Sequence, residues 1–584
     1  MYISVNEKNI PSSLLGDCLV IGGRSVLYGI EEKSVRYLQI ENVVCILIGT
    51  IYDKTITSVE QVYRKYQSDG YRAVSNIDGD FVYIEVRNDG TCIAISDHEG
   101  DIPLYYRVIQ KGLLLSTDCS DLFYDFSINS LNERSVNDFL RFGTLIGDET
   151  MHKDVFLLQG GSELTFCPDK GVYKIRHYKF HYQEERRPIE EVAESVFKAY
   201  SYSVKKRIEG KEKDTCIFLS GGMDSRLLLG VANQVSPLNK VSTVSFGQKH
   251  SEEVDVARSC ARVHGNEFKW VELTPKDFVK NASLYLKMTC GGDMFPQSYI
   301  INAAQAIGKS SFATGFALDV YMGGTFLSDD AIKSDQNLDD YLKDHLGLLK
   351  MNVFSKDELL QLSKEGVKTP FLFGNDTILE EAKRWHGISV KDCIQAFAID
   401  NRDKRCVALR EITPGYYMQR VNPSSDIEFL KEVSSIPAEY RINHRFYHGM
   451  FLKYVSEYAN IPYNNTTLPV SAPVEMWKKG SANEAIRETL YAEFMTEYNK
   501  THQEKLYYPH YYSDFEGYSR YDVDWLKLFN DNLLNPNAVI TNLWFDKSKI
   551  AELFQDHIQG RRNNRKKLIF LTSLEIFLKN NLIS

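Results

Sequence analysis

Up to about residue 125 the chain alternates short apolar runs with polar turn residues. Residues 43–49, 81–86 and 92–96 are such runs, and Arg87-Asn88-Asp89-Gly90 separates two of them. Apolar segments of this length, bounded by Gly, Asn and Asp, predict β-strands. Gln110-Lys111-Gly112 predicts a hairpin tip, with residues 113–115 as its return strand. Only 59–71 carries a helical spacing. The pattern is that of a layered β-domain with few helices.

Between 126 and 185 the pattern predicts a helix over 135–142 and a strand pair ending in 173–180. Gln183-Glu184-Glu185-Arg186-Arg187-Pro188 is a polar boundary with a proline stop. From 189 the period changes. An amphipathic helix over 189–207 is followed by strand 215–219, helix 226–235, strand 240–246, helix 253–264 and strand 267–273. Strand–helix alternation at this spacing predicts a doubly wound parallel sheet. Beyond about 330 the chain is mainly helical and richly charged, with no internal repeat. The expected organisation is an α/β chain with domains 1–185, 186–475 and 476–584, the last a helical extension.

Composition narrows the function. At 584 residues the chain exceeds one hydrophobic core. Hydrophobic residues at 43% and charged residues at 25% describe an ordinary globular protein. A net charge of −9 and a pI near 5.9 argue against a nucleic-acid partner. The one basic cluster, Arg561, Arg562, Arg565, Lys566 and Lys567, reads as a solvated helix end. No signal peptide and no run of about 18 apolar residues is visible, so a cytoplasmic protein without a membrane partner is expected. The ten cysteines show no C-x-x-C pair, and many fall in apolar runs as buried thiols would.

Chemistry concentrates at Leu219-Ser220-Gly221-Gly222-Met223-Asp224-Ser225. A buried strand runs into two glycines and then opens a helix. The glycines allow close approach to an anion and tolerate positive φ. The helix start offers unpaired N–H groups to phosphate. Ser220 and Ser225 add hydroxyls, and Asp224 offers a hard oxygen ligand for Mg²⁺. No G-x-x-x-x-G-K-[ST] occurs, so the loop is not a Walker A site.

The string S-G-G-x-D-S on a strand-to-helix turn resembles the PP-loop of the ATP-pyrophosphatase superfamily. That resemblance implies ATP and Mg²⁺ as cofactors, with AMP transferred to an oxygen and pyrophosphate released. Further segments resemble the asparagine-synthetase type, which includes β-lactam synthetases and lasso-peptide cyclases. Val244-Ser245-Phe246-Gly247 is similar to its adenine-contacting strand end, and Glu252-Glu253-Val254-Asp255 to a helix start. Thr314-Gly315-Phe316-Ala317-Leu318-Asp319-Val320-Tyr321-Met322-Gly323-Gly324 resembles S-G-x-G-x-D-E-x-F-G-G. The resemblance implies Asp224 and Asp319 as metal ligands, and Asp224, Asp319 and Ser225 as catalytic residues. It places Leu219, Ser220, Gly221, Gly222, Asp224, Ser225, Ser245, Phe246, Thr314 and Gly315 around ATP and pyrophosphate.

In the N-terminal half, Gly49-Thr50-Ile51-Tyr52-Asp53, Ile77-Asp78-Gly79-Asp80-Phe81 and the run Ser96-Asp97-His98-Glu99-Gly100-Asp101 resemble class II glutamine amidotransferase domains. Phe142-Gly143-Thr144-Leu145-Ile146-Gly147 resembles the segment joining that domain to the synthetase. The implied fold is an Ntn-hydrolase-like layered domain, then a PP-loop domain.

The pattern also breaks. Those glutaminases use an N-terminal cysteine freed by removal of Met1, whereas position 2 here is Tyr2. Glutamine hydrolysis is therefore expected to be absent. Phe316 stands where asparagine synthetases show Glu and β-lactam synthetases Tyr, and a phenyl ring moves no proton. The family's late lysine is missing around Tyr463-Asn464-Asn465-Thr466-Thr467, leaving Lys453, Lys478 and Lys479 as candidates. The turn Cys290–Pro296 reads equally as an acceptor-pocket lining or a structural turn. The cluster Tyr507-Tyr508-Pro509-His510-Tyr511-Tyr512 reads first as packing between helices, with a peptide or sugar grip as the functional reading.

The leading expectation is an amide-forming ligase: a small-molecule or peptide carboxylate is adenylated and an amine captures it. A peptide macrocyclase and a biosynthetic amidotransferase are two forms of it. An idle ATP-binding partner of a biosynthetic complex is the alternative, and a homodimer is left open. RNA-modifying PP-loop chemistry fits poorly without a basic surface or paired catalytic cysteines.

Overall fold

The computed structural model describes residues 1–5, 18–21, 25–28 and 34–582. Its first strands are β1 (Tyr2–Val5), β2 (Cys18–Ile21), β3 (Ser25–Tyr28), β4 (Val35–Ile40) and β5 (Val43–Ile51). Helix α1 (Val59–Ser75) precedes β6 (Gly79–Arg87), β7 (Cys92–Ser96), β8 (Leu104–Ile109) and β9 (Gly112–Ser116). Helix α2 (Glu133–Phe142) precedes β10 (Val155–Leu158), β11 (Ser162–Cys167) and β12 (Gly171–Arg176).

These strands form two sheets, ordered β10-β8-β9-β1-β3-β2 and β12-β11-β7-β6-β5-β4. The period-two alternation decides which face each side chain takes. Val44, Ile46 and Ile48 of β5 enter the core between the sheets with Ile3, Ile84 and Leu115. Cys45 and Leu47, one residue out of phase, meet Val59, Val62 and Val74 of α1. A capping box starts α1: Gln61 N–H donates to Ser58 Oγ, and Ser58 N–H to Gln61 Oε1. The expected β-rich layered domain is therefore present, with α1 on one outer face.

The second unit follows as α3 (Ile189–Ile208), β13 (Thr215–Phe218), α4 (Met223–Val235), β14 (Ser242–Gly247), α5 (Glu252–His264) and β15 (Phe268–Glu272). After α6 (Ala282–Met288) and α7 (Tyr299–Ile307) come β16 (Ser311–Ala313), α8 (Leu318–Gly323) and, much later, β17 (Gln419–Val421). The sheet order is β15-β14-β13-β16-β17, parallel throughout. Ser251 caps α5, its Oγ accepting from Val254 N–H, and Gly265 ends it at φ 67°.

The rest of the chain is helical. The terminal helix Arg565–Asn581 is buried at every residue from 568 to 578, as a helix apolar on all sides must be. Its Phe570 packs on Phe139 of α2, and its Phe577 on Phe123 and Phe126. It shares one apolar cluster with Tyr2 and Leu114 of the first sheet, so the C-terminal helices cover that sheet's outer side.

Charged contacts complete the junction of the two units. Arg207 of α3 bonds Asp78 at 3.1 Å and Asp426 at 3.0 Å. Arg420 bonds Asp101 at 2.7 Å, and Tyr321 donates its hydroxyl to Glu99 at 2.7 Å. The N-terminal motif residues Asp78, Glu99 and Asp101 thus hold the second unit in place.

Candidate active site

β13 and β16 lie side by side, with Ile217 opposite Ala313. Strand order reverses between them, because β14 and β15 lie on one side and β17 on the other. At such a switch point the loops leaving the carboxyl ends diverge and open a crevice. The β13 loop leads into α4 and Asp224; the β16 loop leads into α8 and Asp319. Ninety-five positions apart in sequence, the two acids become neighbours.

Asp319 N–H donates to Asp224 Oδ2 at 3.3 Å. Tyr447 donates its hydroxyl to Asp224 Oδ1 at 2.8 Å, and Thr325 donates to Asp319 Oδ2 at 2.9 Å. Burial, reinforced by the Asp319 charge, holds the Asp224 carboxyl well above its usual range, against the pull of the Tyr447 hydroxyl. A divalent cation relieves that crowding. Two carboxylates with no third acidic, cysteine or histidine ligand grouped with them among the described residues suit Mg²⁺, which takes few protein ligands and completes its shell with phosphate and water.

Gly315 explains how the loops come so close. A Cβ there would stand 2.5 Å from the Asp224 carbonyl carbon and 2.7 Å from its Cβ. Ala317, just before α8, is held at φ 55°, a conformation that costs energy outside glycine.

The phosphate loop is closed by its own hydroxyls. Ser220 N–H donates to Ser225 Oγ at 3.1 Å, Gly222 N–H donates to Ser220 Oγ at 3.1 Å, and the two hydroxyls are 3.2 Å apart. Leu219 anchors the loop in the sheet through its N–H on the Val244 carbonyl, 2.8 Å. Gly222 precedes α4 with no side-chain cap, leaving that helix's first N–H groups for an anion. Neither glycine adopts the positive φ that the sequence allowed for. Gly221 is needed for close approach instead: a Cβ would lie 2.7 Å from Asn464 Cβ.

Thr314, Ser245 and Phe246, three of the expected nucleotide contacts, have defined surroundings. Thr314 donates its hydroxyl to Glu411, which Arg420 grips with two nitrogens at 2.9 and 2.7 Å. Ser245 and Phe246 are successive on a strand and take opposite faces, so they cannot line one surface together. The Phe246 ring stands edge-on to Phe218 with centroids 5.0 Å apart.

The positions marked as departures also have defined surroundings. The Arg420 guanidinium lies over the Phe316 ring, 5.4 Å from its centroid. Phe316, Arg420, Tyr321, Lys404, Asp101 and Tyr105 line a cavity of about 50 Å³ at the junction of the units, room for a few waters. The loop expected to bear a lysine lies on the phosphate loop, with Asn464 N–H on the Gly221 carbonyl at 3.2 Å. Arg226 clamps both, donating to Gly221 O at 2.8 Å and Ile461 O at 3.0 Å. Lys478 and Lys479 are exposed, and Lys453 stands 5.1 Å from the Tyr454 ring. The turn at Cys290 is built around buried Asp293, bound by Arg410 at 3.0 Å and Tyr285 at 2.7 Å. The aromatic run at 507–512 packs on the start of α5: Glu252 and Glu253 N–H groups donate to Pro509 and His510 carbonyls.

Asp403 gave no signal in the sequence. It sits in a π-helical turn, Ile399–Val407, bonded to Arg402 at 2.5 Å. Burial pushes its carboxyl up to about 7, with Arg402 opposing and the Asp319 charge adding. Tyr447 and Arg420 were equally silent, since single Tyr and Arg residues far from any motif carry no pattern.

This fold and site define an α/β unit with a five-stranded parallel sheet and an S-G-G-x-D-S loop at its switch point, joined to a two-sheet antiparallel domain. Residues 198–304 match the family model described as asparagine synthase, and residues 52–179 that of the glutamine amidotransferase domain. The chain is asparagine synthetase-like, with an N-terminal glutamine amidotransferase-like domain. It is 24% identical over 222 residues to asparagine synthetase (glutamine-hydrolyzing) 1 of Bacillus subtilis, covering 37% of this chain and 34% of that protein. It is 24% identical over 249 residues to putative asparagine synthetase (glutamine-hydrolyzing) 2 of Methanocaldococcus jannaschii, covering 39% and 48%. The matches thus span about a third and about half of those relatives. A solved glutamine phosphoribosylpyrophosphate amidotransferase from B. subtilis, complexed with ADP and GMP, shares 9% identity over 42% of this chain and 51% of that one. Its TM-score of 0.18 carries no argument. No helix among the described residues is long and apolar enough to cross a membrane.

Proposed function

We propose that the protein is an ATP- and Mg²⁺-dependent amide-forming ligase that adenylates a substrate carboxylate for capture by an amine. The observation that carries this reading is the meeting of Asp224 and Asp319 beside an uncapped helix start. Mg²⁺ would supply charge neutralisation across the ATP phosphates, held by Asp224 and Asp319. The α4 N–H groups and the hydroxyls of Ser220 and Ser225 bind the phosphates and hold the leaving pyrophosphate. A carboxylate oxygen of the substrate attacks the α-phosphorus, and the bond to the bridging oxygen breaks as pyrophosphate departs. The amine then attacks the acyl carbon, loses a proton, and AMP leaves.

The amine does not come from glutamine in this reading. The head of β1 carries Met1 and Tyr2, with Met1 N on Thr117 Oγ at 3.0 Å, and neither side chain supplies the thiol that those glutaminases use. A substrate amine or free ammonia takes its place, which includes ring closure within one peptide. Phe316 takes no proton, so the amine's proton leaves through another group. Arg226 and Asn464 hold the loop where a lysine was expected.

Exchange of labelled pyrophosphate into ATP, with and without candidate carboxylates, tests adenylation. Carboxylate-dependent exchange, lost in Asp224→Asn, is the expected result. The idle-partner reading, favoured by Phe316 and Asn464, predicts Mg·ATP binding with no exchange on any substrate.

A further inference from the structure

The helix Val474–Thr501 is the longest in the molecule among the described residues, and most of it stands in solvent. Its buried residues are Trp477, Gly480, Glu484, Met495 and Asn499. At 100° per residue these cluster on one side. Diametrically opposite lies a second line: Lys479, Ala482, Ile486, Leu490, Glu493 and Glu497. Ile486 is 59% exposed and Leu490 61%, with Phe494, 55% exposed, at the edge of the same stripe. Three large apolar side chains at i, i+4 and i+8 on a free helix face form the narrow seam through which helices pair.

The charges at the two ends say what covers it. Lys478 and Lys479 close the N-terminal end of the stripe, and Glu493 and Glu497 its C-terminal end. Lys479 makes no ion pair among the described residues, and Glu497 has only the exposed Lys500 one turn on. A second copy of the same helix, laid antiparallel about a twofold axis at Glu488, brings Ile486 against the partner's Leu490, twice per pair, with Ala482 and Phe494 on opposite flanks of the seam. The same operation sets Lys479 against the partner's Glu497, twice per pair. Each end thus meets its opposite charge in register with the apolar centre, which only a self-complementary, antiparallel seam requires.

We propose that the exposed face of Val474–Thr501 is an interface between two copies of this chain. The seam from Ala482 to Phe494 is about 18 Å long. A patch of that size is below the standard interface, so the pairing is reversible and micromolar.

Sedimentation velocity of the full chain from about 1 to 200 μM tests this. Wild type is expected to pass from monomer to dimer within that range, and Ile486→Lys with Leu490→Glu to remain monomeric with unchanged circular dichroism and Tm. Lys479→Glu alone and Glu497→Lys alone are each expected to weaken dimerisation roughly tenfold. Combining the two restores it, which a nonspecific sticky patch does not do. A wild type that stays monomeric at 200 μM overturns the proposal. So does a dimer that survives Ile486→Lys with Leu490→Glu, because its interface then lies elsewhere.

Discussion

The backbone N–H of Asp319 rests on a carboxylate oxygen of Asp224 at 3.3 Å, although 95 residues separate the two in the chain. Two acids in that position repel, and only a cation or a proton relieves them. Substituting either by Asn should remove Mg²⁺ binding and nucleotide turnover by two orders of magnitude or more, while leaving the fold intact. Titration calorimetry with Mg·ATP reads the first, and pyrophosphate exchange the second.

The same pair sets a pH dependence. Asp224 is held above its usual range by burial and by Asp319, so a metal held by the pair competes with a proton there. Mg·nucleotide affinity should rise with increasing pH, with proton release on binding. Calorimetry in buffers of different ionisation enthalpy counts that proton. A pH-independent affinity would contradict the assignment.

Gly315→Ala tests the closeness of the two loops. The added methyl would lie within 2.7 Å of Asp224 main-chain and Cβ atoms, so one loop must move. The expected cost is about 1–3 kcal/mol in urea denaturation. Mg·ATP affinity should fall more than that of Gly308→Ala, where a Cβ meets nothing within 4 Å.

Arg420 ties Glu411 to Asp101 and covers Phe316. Its removal leaves two buried carboxylates without their cation, so Arg420→Ala should cost about 3–5 kcal/mol. Arg420→Lys should recover little, because an ammonium cannot bond Glu411 through two nitrogens while reaching Asp101. Chemical denaturation of the three proteins ranks them.

Asp138 in α2 is fully buried, and burial, aided by the Glu149 charge, raises its carboxyl to about 8. Its pKa in the folded protein lies above the roughly 3.9 of an unfolded chain. The proton it holds therefore stabilises the fold fully below about pH 4, and that contribution is lost as the pH rises toward 8. Asp138→Asn should flatten the decline in stability between pH 5 and 8 relative to wild type. Urea midpoints at the two pH values measure it.

Much of the fold was legible in the pattern of the chain. The apolar runs at 43–49 and 81–86 appear as β5 and β6, and the strand–helix rhythm from 189 as the parallel sheet. These are local properties, because burial of one face at period 2 or 3.6 is written in consecutive residues. The strand-to-helix turn at Ser220–Ser225 was legible too, since S-G-G-x-D-S holds its hydroxyls within six positions. What only the tertiary structure decided is who meets whom. Strand order at β13 and β16 brings Asp319 to Asp224. Thr314 binds Glu411 rather than standing free, Tyr447 bonds Asp224, and Arg420 occupies the face of Phe316. Each is a contact across about 100 residues or more, or a consequence of sheet order. No local period encodes such a pairing, which packing of the whole chain settles.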